Sequence, residues 1–212
     1  GRDTDLARAG ECVALKMADL GSDEAGRGSV LATPGFFEAS RFINARFQLL
    51  REAGRPLEPR TPIRFHVGTS DVSGYLILPS LNRLAPGGES YVQIQLQKPV
   101  VAAPGDPFVA RSLSPTFTLG GGYVVGLDPK RIRRSNGGWI EACEEHDRAF
   151  RQPGTALEYV LRHAGLRSLR PAEAAHAALV DEKTAGECMN QLVREALAVR
   201  LDGDRFIHAR AL

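Results

Sequence analysis

The 212 residues are 43% hydrophobic and 25% charged, with 27 Lys and Arg against 25 Asp and Glu for a formal charge of +2. This ordinary globular balance excludes collagen-like structure, wholesale disorder and a histone-like basic coat, so any nucleic-acid contact must come from local clusters. Apolar runs such as Pro99–Pro104 are broken by Pro and fall well short of the ~20 residues that cross a bilayer, so a soluble, cytoplasmic protein without membrane partners is expected.

Cys12, Cys143 and Cys188 are odd in number, far apart and without CxxC spacing, which fits neither a disulfide framework nor a zinc site and suits a reducing compartment. The chain opens at Gly1 with no charged and apolar leader behind it, which reads as a cut inside a longer protein.

Residues 1–39 hold too few strand-like runs to close a barrel and are expected to form part of one. Residues 40–128 carry six or seven short strands between Gly/Pro turns, the pattern of an antiparallel barrel. Ile43, Ala45, Phe47 and Leu49 alternate with polar residues, as do Ile63, Phe65 and Val67. Val92-Gln-Ile-Gln-Leu-Gln97 puts three aliphatics inward and three glutamines toward solvent or a polar partner. Gly120-Gly121-Gly122 sits among strand-like segments and reads as a bulge or turn in preference to a phosphate loop.

At Pro129 the character changes. Lys130, Arg131, Arg133 and Arg134 form a basic linker, and helical spacing takes over from Trp139 to Phe150, giving a linker-and-helix unit over 129–150. In 151–212, Leu157, Val160, Leu161 and Ala164 form one helical stripe, and Pro171 opens the next helix. Thr184 and Glu187 fit a capping box for a last helix with Met189, Leu192, Val193 and Ala196 buried. Val199–Leu201 and Arg205–Ile207 flank Asp202-Gly203-Asp204, a hairpin turn signal. Three helices followed by a hairpin is the order of a winged helix. The expected fold class is therefore mixed β and α: antiparallel β-barrels followed by a winged-helix domain.

Chemistry is sparse. There is no GxxxxGK[ST] loop, GxSxG elbow, HExxH helix or GxGxxG turn, so no catalytic residue and no metal ligand is assigned. His146 beside Glu144, Glu145 and Asp147 imitates a metal cluster, but neighbouring helical residues diverge, and a solvated helix face is the expectation. Arg64, His66 and Arg111, on exposed strand faces, are candidate phosphate or ribose contacts, with ordinary solvation as the alternative. Lys183, Asn190, Gln191 and Arg194 are the exposed candidates on the recognition helix, with Arg200, Arg205 and His208 on the wing. Nine Lys and Arg against eight Asp and Glu in 151–212 leave that unit without a strong electrostatic footprint, so a protein-interaction or spacer role fits it too.

Particular strings carry a resemblance. Arg27-Gly28-Ser-Val-Leu-Ala-Thr-Pro34-Gly35 is similar to the end of the second domain in translational GTPases of the elongation factor Tu group. Thr61–Gly74 and Leu84–Leu96 resemble strands of that group's third domain. Pro99–Gly122, with a winged helix behind it, resembles most the selenocysteine-specific elongation factors, the SelB family. The resemblance implies a factor that, with GTP and Mg bound in a GTPase domain this chain does not contain, carries selenocysteyl-tRNA to the ribosome. It also implies an mRNA hairpin held by further winged helices beyond the single one that fits here. By the same resemblance Arg27, with Glu24 three residues before it, helps bind the aminoacylated tRNA terminus, a barrel-rim ion pair being the alternative. Arg64, His66 and Arg111 would touch the tRNA backbone. Rival readings are a winged-helix DNA-binding regulator and a non-catalytic interaction or spacer module.

Overall fold

The computed structural model describes residues 6–8, 10–17, 25–128, 130–132 and 138–212. Six strands, β1 (Ala39–Leu49), β2 (Arg60–Val67), β3 (Ser70–Ile77), β4 (Glu89–Val101), β5 (Pro107–Arg111) and β6 (Thr118–Asp128), close an antiparallel barrel in the order β1-β4-β3-β2-β5-β6. Closure removes the free edges that would otherwise pair with other chains. The alternation read from the sequence fills its interior: Ile43, Ala45, Phe47 and Leu49 of β1 are fully buried, as are Ile63 and Phe65 of β2 and Val92 and Ile94 of β4. Phe108 lies against Phe65 at 5.1 Å and Phe47 at 6.2 Å between ring centroids, an aromatic seam through the core.

The triple glycine lies inside β6 and not at a turn. A Cβ on Gly122 would sit 1.8 Å from the Arg46 carbonyl oxygen, and one on Gly120 2.1 Å from that of Gln48. Only a bare backbone lets β6 approach β1 this closely. The bulges lie beside it, as register shifts between Ala110 and Arg111 on β5 and between Asn44 and Ala45 on β1.

Among the described residues ahead of β1 there is no strand, so the expected partial barrel is not drawn by them. Instead, residues 27 and 28 dock on the β2–β3 turn. Arg27 Nε donates to the Thr69 carbonyl at 3.2 Å, and Gly28 N donates to Thr69 Oγ1 at 3.1 Å. Gly28 has φ +94°, and a Cβ there would lie 2.9 Å from Ser70 Oγ, so this contact needs glycine on both counts.

Four helices follow: α1 (Trp139–Ala149), α2 (Pro153–His163), α3 (Pro171–Ala178) and α4 (Glu182–Arg194). A hairpin of β7 (Ala198–Leu201) and β8 (Arg205–His208) comes next, turning at Gly203 with φ +73°. Leu169, between α2 and α3, adds a bridge to Phe206 of β8. Leu157, Leu161, Ala174, Ala185, Met189 and Phe206 form the core of this unit. The cap of α4 is Asp181, whose carboxylate accepts from Thr184 N at 2.9 Å and Thr184 Oγ1 at 2.6 Å. The sequence placed the cap at Thr184. The helix starts earlier because a carboxylate accepts both donors of Thr184 at once. No helix among the described residues is long and apolar enough to cross a membrane.

Two contacts tie the basic linker and α1 to the barrel wall. Gln93 is fully buried: its Oε1 accepts from Ile132 N at 2.7 Å, and its Nε2 donates to the Lys130 carbonyl and to Asn44 Oδ1, both at 3.2 Å. The glutamine thus holds residues 130–132 as a neighbouring strand would. Trp139 and Cys143 of α1 then pack on Val125 and Ile132, flanked by Tyr91 and Tyr123. Burial, reinforced by Asp128 nearby, pushes the Cys143 thiol up to about 12.

Candidate nucleic-acid interface

Strand pairing brings the three barrel candidates together. Arg64 of β2 stands opposite Arg111 of β5 and opposite Ser73 of β3, while His66 stands opposite Val109 and Asp71. Directly opposite residues share a face, so Arg64, His66 and Arg111 form one outward patch on the β3-β2-β5 wall. Phe65 and Ala110 between them point into the core, which fixes the orientation.

Arg64 remains half-exposed while its Nε donates to Asp71 Oδ1 at 2.7 Å. Asp71 also lies 3.9 Å from His66 Nδ1, so one carboxylate serves two potential cations. Arg111 Nε and His66 Nε2 are shielded from solvent and have no hydrogen-bond partner among the described residues. Such groups are costly to leave unmade, and an incoming acceptor beside them recovers part of that cost. Arg27 reaches the same hairpin from its tip through Thr69. Its companion Glu24 lies outside the described residues, as do Arg133 and Arg134 of the linker.

The helical candidates divide. Lys183, Asn190 and Arg194 are exposed and recur at i, i+7 and i+11, one face of α4. Gln191 is exposed but donates to Glu195 Oε1 at 2.7 Å. Arg205 is engaged: its Nε donates to Ser168 Oγ at 2.8 Å, its Nη2 donates to the Ser168 carbonyl at 2.5 Å, and Glu173 lies 3.7 Å away. It ties the hairpin to the start of α3 instead of standing free on a wing. His208 is buried, with Nδ1 accepting from Arg210 N at 3.1 Å, so it too leaves the wing surface. Arg200 pairs with Asp204 at 2.6 Å.

The acidic run on α1 is a solvated face only in part: Glu144 is exposed as expected, while Asp147 and His146 turn inward. Asp147 is 7% exposed, and its Oδ2 accepts from both Tyr91 and Tyr123 hydroxyls at 2.9 Å, with Arg151 at 3.5 Å and Arg46 at 3.9 Å. Burial and the Asp147 carboxylate raise the Tyr91 phenol, and the fork onto Glu89 keeps Arg46 firmly charged. Glu145 turns away to Arg162. His146 faces inward, stacked on Phe150 at 4.0 Å between centroids, with its ring 3.3 Å from where a Gly126 Cβ would be. Burial drives it down to about 4, so it is neutral in this seam. Sequence reading missed both roles, because acidic and imidazole side chains on an amphipathic helix carry no mark of which face a barrel will cover.

Residues 44–131 match the family described as selenocysteine-specific elongation factor, beta-barrel domain. Over 215 aligned residues the chain is 28% identical to a selenocysteine-specific elongation factor of Desulfomicrobium baculatum, covering all of this chain and 33% of that protein. Over 132 residues it is 32% identical to elongation factor Tu 2 of Streptomyces avermitilis, covering 60% of this chain and 33% of that protein. The chain thus spans about a third of the length of the curated relatives it matches. The matched range takes in the second half of β1, all of β2 to β6, and Gln93 with the linker start at Lys130–Arg131; over it the barrel is similar to the β-barrel domain of the selenocysteine-specific translation elongation factors, and the chain is similar to such a factor along its whole length.

Proposed function

We propose that this chain is an RNA-docking portion of a translation elongation factor that delivers selenocysteyl-tRNA to the ribosome in the cytoplasm. It works by binding and has no bond-making centre of its own. GTP and Mg belong to a GTPase domain elsewhere in the whole factor, and an mRNA hairpin belongs to winged helices elsewhere in it. The observation that carries this reading is the patch on which Arg64, His66 and Arg111 converge within the segment matching the elongation-factor family. Guanidinium forks on a rigid sheet suit phosphate oxygens, and they position RNA without reading its sequence. Arg27, on the rim of the same hairpin, is the residue for the aminoacylated terminus, with Glu24 as its companion.

The three helices α2–α4 and the β7–β8 hairpin are read as a winged helix, with Lys183, Asn190 and Arg194 as its contact face and Gln191 at the margin. The two-stranded hairpin and the Leu169 bridge to Phe206 support that reading.

The test is a titration of aminoacylated tRNA against the whole factor and its Arg64→Gln/Arg111→Gln variant. Loss of two phosphate contacts is expected to weaken binding about tenfold or more and to lower the salt slope by about 2. Unchanged affinity and slope would overturn the role of this wall. Equal loss for a duplex DNA probe would favour a DNA-binding regulator.

A further inference from the structure

A second basic surface lies at the other end of the same wall, where β2 begins and β3 ends. Residues Arg60, Ile77 and Leu78 form one side of a cleft of about 740 Å³, and the linker residues Lys130, Arg131 and Ile132 form the other. Gln93 fixes the linker side through its bonds to Lys130 and Ile132. Arg60 is fixed on the barrel side, its guanidinium 3.4 Å above the centre of the Tyr75 ring. Among the described residues no carboxylate lines the cleft and none forms an ion pair with the side chains of Arg60, Lys130 or Arg131; the nearest acid on the linker side, Asp128, accepts from Lys130 N at 3.1 Å.

Three cations around one concavity raise the local concentration of anions. A guanidinium laid flat on an aromatic ring is already ordered, so its fork meets a phosphate at little entropic cost. Ile77, Leu78 and Ile132 give the cleft an apolar floor, suited to the faces of sugars and bases and not to a bare inorganic anion.

We propose that this cleft is a second RNA site, taking the phosphodiester backbone of a single-stranded segment between Arg60 and the Lys130–Arg131 linker. The choice of RNA over an acidic polypeptide rests on the function proposed above. The geometry of the site does not.

The experiment measures fluorescence anisotropy of a labelled twelve-nucleotide oligouridylate against the full chain, across salt concentrations, with labelled twelve-residue polyglutamate as a parallel probe. Thermal melting confirms that each variant is folded. Arg60→Gln and Lys130→Gln/Arg131→Gln are each expected to lose about fivefold or more in oligouridylate affinity, with the salt slope falling by about 1 per charge removed. Tyr75→Leu, which keeps every charge, is expected to weaken binding while leaving the slope unchanged. Arg64→Gln/Arg111→Gln is expected to leave oligouridylate binding intact. Loss of binding in that variant alone would overturn the cleft and leave the barrel-wall reading standing. Normal oligouridylate binding in both cleft variants, or polyglutamate binding as tightly as RNA, would also overturn the cleft. Loss of oligouridylate binding in the cleft variants, together with unaltered tRNA affinity in Arg64→Gln/Arg111→Gln, would uphold the cleft and count against the wall.

Discussion

The Tyr91 hydroxyl of β4 donates to the Asp147 carboxylate of α1 at 2.9 Å, and the same oxygen accepts from Tyr123 of β6. One buried carboxylate therefore joins two barrel strands to the first helix beyond the linker. Asp147→Ala would leave the Tyr91 and Tyr123 hydroxyls without their acceptor, while Arg46 keeps its fork on Glu89, a cost of about 1–3 kcal/mol. Urea unfolding should register that loss. Because Trp139 is the single tryptophan and is buried in the same seam, its emission should shift red before the barrel melts. A variant with wild-type stability and emission would show that α1 docks without this carboxylate.

Gly122→Ala tests the β1–β6 seam. The added methyl has to enter space held by the Arg46 carbonyl, which is backbone and cannot step aside as a side chain would. The expected loss exceeds the overpacking range of about 1–3 kcal/mol, up to failure of barrel closure. Gly186→Ala in α4, where a Cβ meets nothing within 4 Å, is the control and should be neutral or stabilising by up to ~1 kcal/mol. Equal tolerance at both positions would contradict the close approach.

How much of this was legible before the fold was known divides along physical lines. Strand alternation in β1, β2 and β4 was readable because each strand buries one face, and the Asp202-Gly203 turn was readable because its backbone demands φ > 0. The covering of the barrel wall by the linker and α1 was not. Its adhesive residues are Gln93, Asp147 and His146, polar groups whose type announces a solvent face and whose burial depends on partners far along the chain. The Arg64–Arg111 pairing across β2 and β5 was hidden for a similar reason: each residue was legible as outward-facing, but their adjacency follows from barrel closure. Arg205 and His208 do lie on the hairpin, but their engagement there was not legible, because local pattern does not reveal Ser168 or the packed interior behind the hairpin.

His146 makes the seam sensitive to acid. Its folded value is held near 4 by burial, against an ordinary value near 6.5, with Asp147 opposing that shift and His163 adding to it. Below about 6.5 the unfolded chain takes up a proton that the folded chain refuses. Stability is therefore full above that pH and declines as pH falls toward about 4, below which the slope vanishes. His146→Phe keeps a ring on Phe150 and removes the proton site, so the fall in melting temperature between pH 6.5 and 4 should shrink relative to wild type. An identical fall would place the acid sensitivity elsewhere.

The central claim is that the β3-β2-β5 wall meets RNA. Val109 is 41% exposed and stands opposite His66, two residues before Arg111, so a photo-crosslinking residue placed there samples the patch without removing any of its charges. Irradiating the whole factor in complex with selenocysteyl-tRNA should give a protein–RNA crosslink from position 109 mapping to the tRNA double helix, lost on adding high salt. No crosslink from Val109, with strong crosslinking from a control position on the exposed face of α4, would contradict the claim.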